Sequence, residues 1–406
     1  MMLTRSSFLA MAAALHAEIG PLPAVAQVST DASQLPRTLR RALVLSGGGA
    51  LGAYEAGALR TLVAKAGVRE GEPLPQYGLV TGASIGALNG FLVATAQWEM
   101  LDRIWQSISS QNVIRLKPRF AKIAQSNAGV GSRVAQALSL AFGSTSNVQG
   151  VLDGDHLQQW LLQYVDLKRP VVTSFFWSVT NLSEQKVEYF YLLPDTLSKT
   201  SRDLALRSIQ LSLGPNVAVR EADRSILVEL LRASAAVPLA FDPVVLPDVQ
   251  GRPTQYVDGG VTANTPVNVA RAVSSAVDAI LLGPVFQRTN YQSMIEITSG
   301  SFGTMQRSIM EYAVRAAYLE TFVWRAIKQV PDSFLQQISA RHEIDLDQLK
   351  LFSGYLADTS FYVLRPKTEL PANLFGFDDE KSINATYRVG ELDGQVGFSE
   401  FTYKFT

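Results

Sequence analysis

A strand, a sharp turn and a helix are predicted from ten consecutive residues, Tyr77-Gly78-Leu79-Val80-Thr81-Gly82-Ala83-Ser84-Ile85-Gly86. The apolar run to Thr81 favours a buried strand, and the helix would begin at Ile85. The turn has the pattern Gly-x-Ser-x-Gly, in which a serine oxygen is exposed at a helix N-terminus and small residues allow close strand–helix packing. Ser84 is therefore a candidate nucleophile, with Gly82 and Gly86 supporting the turn. The alternative is a glycine-rich turn in which Ser84 only caps the helix.

The same order of elements is predicted just upstream. Ala42 to Leu45 is a short apolar run, Ser46-Gly47-Gly48-Gly49 interrupts it, and a helix is expected from Leu51 to Ala66. Two successive strand–turn–helix units predict an α/β fold, with a mainly parallel sheet covered by helices.

The glycines at this first turn are candidates for an anion site. Backbone N–H groups of Gly47, Gly48 and Gly49 can converge at a helix start, as an oxyanion hole requires, and Gly52 completes the pattern. The spacing also fits the dinucleotide fingerprint Gly-x-Gly-x-x-Gly, with acidic residues at 70 and 72. A simple tight turn is the third alternative.

A third glycine motif is Asp258-Gly259-Gly260, which follows the predicted strand Gln255 to Val257. An acidic residue at a strand end can present a carboxylate at the edge of a sheet. On its own, Asp-Gly-Gly is usually only a turn.

Composition excludes several classes of function. The 406 residues include 36 Lys+Arg and 36 Asp+Glu, so there is no basic field for a nucleic-acid partner. Cysteine is absent and histidine occurs only at 16, 156 and 342, which argues against a metal site. We therefore do not expect a zinc site built on histidine. His156 follows Asp153 and Asp155 at a predicted helix start and is expected to be structural.

Together, the three motifs resemble those of the patatin-like phospholipase family. The glycine turn continues as Ala53-Tyr54-Glu55-Ala56-Gly57, and Ala233-Ser234-Ala235-Ala236-Val237-Pro238 resembles the family segment that precedes the aspartate. Asp258-Gly259-Gly260-Val261 with Asn264 and Pro266 matches the family's Asp-Gly-Gly block. One departure is Leu51, where many members have Arg or Lys, which puts an extra cationic contact to a lipid phosphate in doubt.

The resemblance implies a patatin-like three-layer sandwich with a helical cap. It also implies a Ser84–Asp258 dyad without histidine, an oxyanion hole at Gly47, Gly48 and Gly49, and hydrolysis of acyl esters of phospholipids or lysophospholipids at a membrane or micelle surface. This chemistry needs no metal and no cofactor. Three alternatives stay open. They are an α/β-hydrolase with a Ser84–Asp258–His342 triad, a dinucleotide-binding protein using the Gly47–Gly52 turn, and a non-catalytic lipid-binding relative.

Domain organisation follows from composition along the chain. Arg5, the apolar stretch from Phe8 to Leu15 and Ala24-Val25-Ala26 indicate a signal peptide over 1–26 and hence an exported, periplasmic or secreted protein. Without such a peptide, the protein would be cytoplasmic. A linker over 27–40, a catalytic domain over 41–394 and a C-terminal tail over 395–406 are expected. Within the domain, 112–150 is a candidate lid or membrane-facing cap of mixed basic and apolar residues, and the alternative is an ordinary solvated helix with one apolar face. Residues 291–358 are expected to form a helical extension. The mature chain is expected to lack a transmembrane span, and its oligomeric state is not predicted.

Overall fold

We describe the protein from a computed structural model. It describes residues 39–108, 113–126, 128–143, 150–214, 216–248, 250–282 and 359–400, with a few single positions between 333 and 341. The expected signal peptide, most of the linker, nearly all of the extension 291–358 and His342 lie outside the described residues.

The described strands form one mixed sheet of ten strands. The strands are β1 (Leu39–Leu45), β2 (Leu79–Gly82), β3 (Ser174–Asn181), β4 (Lys186–Leu192), β5 (Ala218–Glu221), β6 (Val244–Pro247), β7 (Pro253–Asp258), β8 (Ser274–Ile280), β9 (Ser360–Leu364) and β10 (Ser399–Glu400). Their order is β10-β9-β8-β1-β2-β3-β4-β5, and β7 joins β3 and β6 off this path. The five strands from β9 to β3 are parallel throughout.

Helices cover both faces of this sheet, since each of the two cores includes helix residues. They are α1 (Gly52–Ala66), α2 (Ile85–Ala94), α3 (Trp98–Ser107), α4 (Ala121–Ala124), α5 (Val130–Gly143), α6 (Gly154–Tyr164), α7 (Lys199–Leu213), α8 (Leu227–Ser234), α9 (Gly260–Ala263), α10 (Val267–Val273) and α11 (Glu380–Val396). None of these described helices is long and apolar enough to cross a bilayer.

Alternating side chains of the central strands divide the interior into two cores. In β1, Leu43 and Leu45 belong to a large core, whereas Ala42 and Val44 belong to a smaller one on the opposite face. Strand residues buried on both faces are expected for parallel strands covered by helices. The arrangement is therefore the predicted α/β sandwich, with α7 and α10 on the smaller core's side.

One predicted boundary is wrong. The apolar pattern of the sequence predicts a helix from Pro266 to Ser275 and a strand from Ala279 to Phe286, but α10 ends at Val273 and β8 begins at Ser274 without a loop. Asp278 misled the prediction because a charge inside a buried strand is unusual. It is paired there, since Arg41 donates to both of its oxygens and the Tyr77 hydroxyl donates at 2.7 Å.

The candidate lid segment packs on the body of the protein in its described parts. Helix α5 buries one face made of Val130, Val134, Ala137, Leu138 and Ala141, which is the spacing of an amphipathic helix. Residues 115–117 exchange backbone hydrogen bonds with 151–153, and Lys117 forms an ion pair with Asp242.

The C-terminal helix α11 lies against α1. Gly57 of α1 and Gly390 of α11 each lie so close to the other helix that a Cβ would overlap its backbone. The Tyr54 hydroxyl adds a hydrogen bond of 2.9 Å to Asp393. Because β10 then pairs with β9, the sheet includes part of the segment expected to be a tail.

Candidate active site

Ser84 lies in a strained turn between β2 and α2. Its backbone has φ 52° and ψ −126°, a region that non-glycine residues rarely adopt and that costs about 1–3 kcal/mol. The turn is as tight as the sequence predicted, because a Cβ on Gly82 would overlap the Gly86 carbonyl and a Cβ on Gly86 would overlap that of Leu45. Such a turn directs a serine side chain away from its own strand.

Strand pairing brings Asp258 to the same place. Gly82 at the end of β2 pairs with Trp177 of β3, and Asp258 at the end of β7 pairs with Val179 of β3. Because β2 is parallel and β7 antiparallel to β3, the two strands run toward each other and end two β3 residues apart. The predicted nucleophile and the predicted carboxylate, distant in sequence, therefore meet beside Ser178.

The Asp258 carboxyl group is buried and only partly hydrogen-bonded. Its Oδ1 accepts from the Gly260 N–H at 2.6 Å, whereas Oδ2 has no partner of good hydrogen-bond geometry within the described chain. Burial raises the pKa of Asp258 to about 7, and the nearby Ser84 hydroxyl and the Gly260 N–H oppose part of this rise. A carboxylate with a pKa near neutrality is a much better proton acceptor for a serine than an ordinary aspartate.

Sequence analysis did not assign a role to Ser234, at the end of α8. Its Oγ accepts a hydrogen bond from the Ser84 N–H at 3.0 Å and donates one to the Ser178 carbonyl at 2.7 Å. The backbone carbonyl of Ser234 accepts from the Gly259 N–H, and the carbonyl of Ala236, two residues later, accepts from the Asp258 N–H. The alanine-rich segment around Ser234 therefore connects both predicted catalytic residues, and only the family resemblance of that segment could have indicated it.

The glycine loop lies directly against the serine. A Cβ on Gly47 would lie 3.0 Å from the Ser84 Cβ. The Gly47 N–H donates to the Asn264 carbonyl at 3.0 Å, and the Asn264 amide donates back to the Gly47 carbonyl at 3.3 Å. This pair ties the loop to the Asp-Gly-Gly block and occupies the Gly47 N–H, one of the three predicted oxyanion donors.

The other two predicted donors remain available. No described group accepts from the N–H of Gly48 or Gly49, although the next amide, that of Ala50, donates to the Leu374 carbonyl. Gly49 has φ 55°, and a Cβ there would overlap that same carbonyl, so a side chain is excluded. Backbone amides without an acceptor, near a serine on the same pocket, are the kind of donor that an oxyanion hole uses.

The remaining glycines of the motifs serve close packing. A Cβ on Gly52 would lie 2.5 Å from the Ile85 side chain, and one on Gly260 would lie 2.5 Å from the Asn264 side chain. A Cβ on Gly259 would overlap the Ser178 carbonyl. These contacts hold the three motifs together around one point.

A pocket opens beside Ser84 and Gly49. Apart from Gly49, Ser84 and Asn89, every residue that lines it is apolar or aromatic. The lining side chains come from α2, from α3 and α6 with the residue after each, from α8 and the segment 235–241 that follows it, from residues 113–114 and from the loop 374–377. The Asn89 side chain is occupied, since it accepts from Trp105 Nε1 and donates to Glu55. The pocket therefore suits an alkyl chain rather than a polar ligand.

Other candidate groups lie elsewhere or serve structure. His156 is in the first turn of α6, where Asp153 caps the helix by accepting from the His156 N–H at 3.1 Å. Within the described residues, no three acidic or histidine side chains cluster as metal ligands.

Comparison with protein families identifies the chain. The family described as patatin-like phospholipase matches residues 43–271, more than half of the sequence. The chain belongs to the patatin-like phospholipase family. This match includes the glycine loop, Ser84 and Asp258, and it supports lipid acyl hydrolase activity.

No protein with curated annotation matches the patatin-like chain in sequence. Among solved structures, VipD from Legionella pneumophila is similar with a TM-score of 0.31 and 14% identity, over 90% of this chain and 68% of VipD.

Proposed function

We propose that the protein hydrolyses fatty-acyl esters of phospholipids or lysophospholipids through a Ser84–Asp258 dyad. The observation that carries this proposal is the meeting of Ser84, the buried Asp258 carboxyl and two unoccupied glycine amides at the mouth of an apolar pocket. Family membership supports the reaction class, and the apolar pocket supports a fatty-acyl substrate.

The proposed reaction has two chemical steps. Asp258 accepts the Ser84 hydroxyl proton as the serine oxygen attacks the ester carbonyl, and the amides of Gly48 and Gly49 stabilise the oxyanion. The intermediate collapses to an acyl-serine, and the alcohol leaves with the proton from Asp258. Water then attacks the acyl-serine while Asp258 again acts as base, which releases the fatty acid.

The test is covalent labelling combined with hydrolysis. A fluorophosphonate should label the wild type at Ser84, and Ser84→Ala should lose both the label and hydrolysis of a lysophospholipid. Labelling without hydrolysis of any acyl ester would instead favour a non-catalytic lipid-binding relative.

Two alternative functions are separated by single experiments. His342→Ala should retain near wild-type kcat, whereas a Ser84–Asp258–His342 triad requires a loss of several orders of magnitude. Titration with NAD or NADP should give no saturable binding, because an apolar pocket adjoins the Gly47–Gly52 turn.

A further inference from the structure

A buried hydrogen-bond network joins the first three helices beside the glycine loop. At its centre is Asn89 of α2, a buried side chain. The Asn89 amide donates to the Gly52 carbonyl at 3.2 Å and to Glu55 Oε2 at 2.9 Å, both in the first turn of α1. Trp105 Nε1 of α3 donates to Asn89 Oδ1 at 2.9 Å. The start of α1 is therefore fixed to α2, the helix that begins next to Ser84.

Glu55 is the ionisable member of this network. Its side chain is fully buried, and Oε1 has no hydrogen-bond partner within the described chain. Burial raises the pKa of the Glu55 carboxyl group well above its ordinary value, the Asn89 amide and the Ser46 N–H oppose part of this rise, and no charged side chain among the described residues contributes. A buried carboxylate needs donors at both oxygens. The uncharged acid fits better, because Oε2 can accept from Asn89 while Oε1 carries the proton.

The same network reaches both ends of the glycine loop. On one side, a short 3-10 turn that starts at Gly49 leads directly into α1 at Gly52. On the other side, the Ser46 N–H interacts with the Glu55 carboxyl group, although its hydrogen bond goes to the Ile280 carbonyl at 3.3 Å. The two amides without an acceptor among the described groups lie between these ends. Their position therefore depends on groups arranged around Glu55.

We propose that Glu55, in its uncharged form, positions the oxyanion amides through Asn89. This inference rests on the proposed function. Glu55 accepts from the Asn89 amide, and that amide keeps the Gly52 carbonyl against α2. The oxyanion amides, just before Gly52, thereby keep their position relative to Ser84. Oxyanion stabilisation depends on donors that are oriented before the reaction, so a side chain at 55 that cannot accept this hydrogen bond should lower kcat and leave KM nearly unchanged.

The experiment compares three variants of Glu55 on one p-nitrophenyl ester, with kcat expressed per active site. Titration to completion with a short-chain fluorophosphonate counts the active sites, so misfolded protein does not lower this kcat. Glu55→Gln keeps the length and the acceptor without the charge and should retain kcat within about twofold. Glu55→Asp withdraws the acceptor by one methylene and should lower kcat by about 3–10-fold. Glu55→Met has no such acceptor and should lower kcat by about 10–100-fold.

The matched control is Gln97→Met. Gln97 is also buried, and it forms reciprocal hydrogen bonds with the backbone of Asp166 at 3.0 and 3.1 Å, away from the glycine loop. Its replacement removes a buried, hydrogen-bonded side chain and should cost stability as Glu55→Met does, but kcat per active site should not change. If Glu55→Met does not fold, Glu55→Gln and Glu55→Asp carry the test.

Three results would overturn the inference. The first is a loss of kcat in Glu55→Gln as large as in Glu55→Asp or Glu55→Met, because the charge would then be required. The second is wild-type kcat per active site in Glu55→Asp and in any folded Glu55→Met. The third is an equal fall in Gln97→Met. With a labelled, active wild type, each of these contradicts only the role of Glu55, whereas an unlabelled, inactive wild type contradicts the proposed function itself.

Discussion

The Ser234 hydroxyl fixes the backbone of Ser84. The Ser84 N–H donates to the Ser234 Oγ at 3.0 Å, and the Ser234 hydroxyl in turn donates a hydrogen bond to the Ser178 carbonyl at 2.7 Å. Ser178 is the β3 residue between the partners of Gly82 and Asp258. A single buried hydroxyl thus links the strained turn at Ser84 to β3, the strand with which Asp258 pairs.

Ser234→Ala should lower kcat by about 10–100-fold while leaving KM nearly unchanged, because the nucleophile is misplaced but the acyl pocket is intact. Steady-state kinetics on one acyl ester measure this. Ser274→Ala is the control, since Ser274 is equally buried and its hydroxyl has no partner within the described chain. Equal kcat values for the two variants would mean that Ser234 does not position Ser84.

The rate should depend on the ionisation of Asp258. Because the carboxyl must be deprotonated to act as a base and its pKa is about 7, kcat/KM should rise with pH and level off above that value. Below the midpoint, each pH unit should cost about tenfold. A profile that is flat between pH 5 and pH 8 would show that this group is not the base.

Asp258→Asn should be inactive but more stable than the wild type at alkaline pH. The folded pKa is raised above that of an unfolded aspartate, so the folded state holds the proton more tightly and stability falls as pH rises from about 4 to about 7. Removing the charge should therefore raise the free energy of unfolding by ~1–2 kcal/mol above pH 8 and by little at pH 4. Urea titrations at pH 4 and above pH 8 measure this change in the free energy of unfolding. An equal change under both conditions would contradict the raised pKa of Asp258.

Gly47→Ala should abolish most activity, because its Cβ meets the Asn264 side chain and lies 3.0 Å from the Ser84 Cβ. We expect kcat to fall by at least about 100-fold as the oxyanion loop moves away from the serine. Gly129→Ala is the control, since a Cβ there contacts only Asp378 at 3.7 Å. A Gly47→Ala enzyme with control-like kcat would place the oxyanion donors elsewhere.

Local sequence was sufficient for the first half of the site. The apolar run before Gly82, the serine and the following helix are contiguous, so spacing and propensity predict the turn. The same holds for the glycine loop after β1. In both places an apolar strand is followed by small residues, and this order leaves the backbone little conformational choice.

The rest of the site depends on contacts across the sheet. The meeting of Ser84 and Asp258 requires β7 to follow β2 along β3, and pairing register is not encoded within any one segment. The local sequence does not distinguish Ser234 from any other serine at an alanine-rich helix end. Helices α7 and α11 were also missed, because both are amphipathic, polar on average and stabilised mainly by packing on the sheet or on α1.

Glycines 57 and 390 give the C-terminal helix a role that the family match does not reveal. Each allows one helix to rest on the backbone of the other, and α1 is the helix that starts at the oxyanion loop. A polypeptide truncated at residue 271 would keep every motif residue, yet it would leave that helix without its companion and β1 without a neighbour on one side. The described residues after 271, which form β8, β9, α11 and β10, therefore support a site whose motif residues all precede them in the chain.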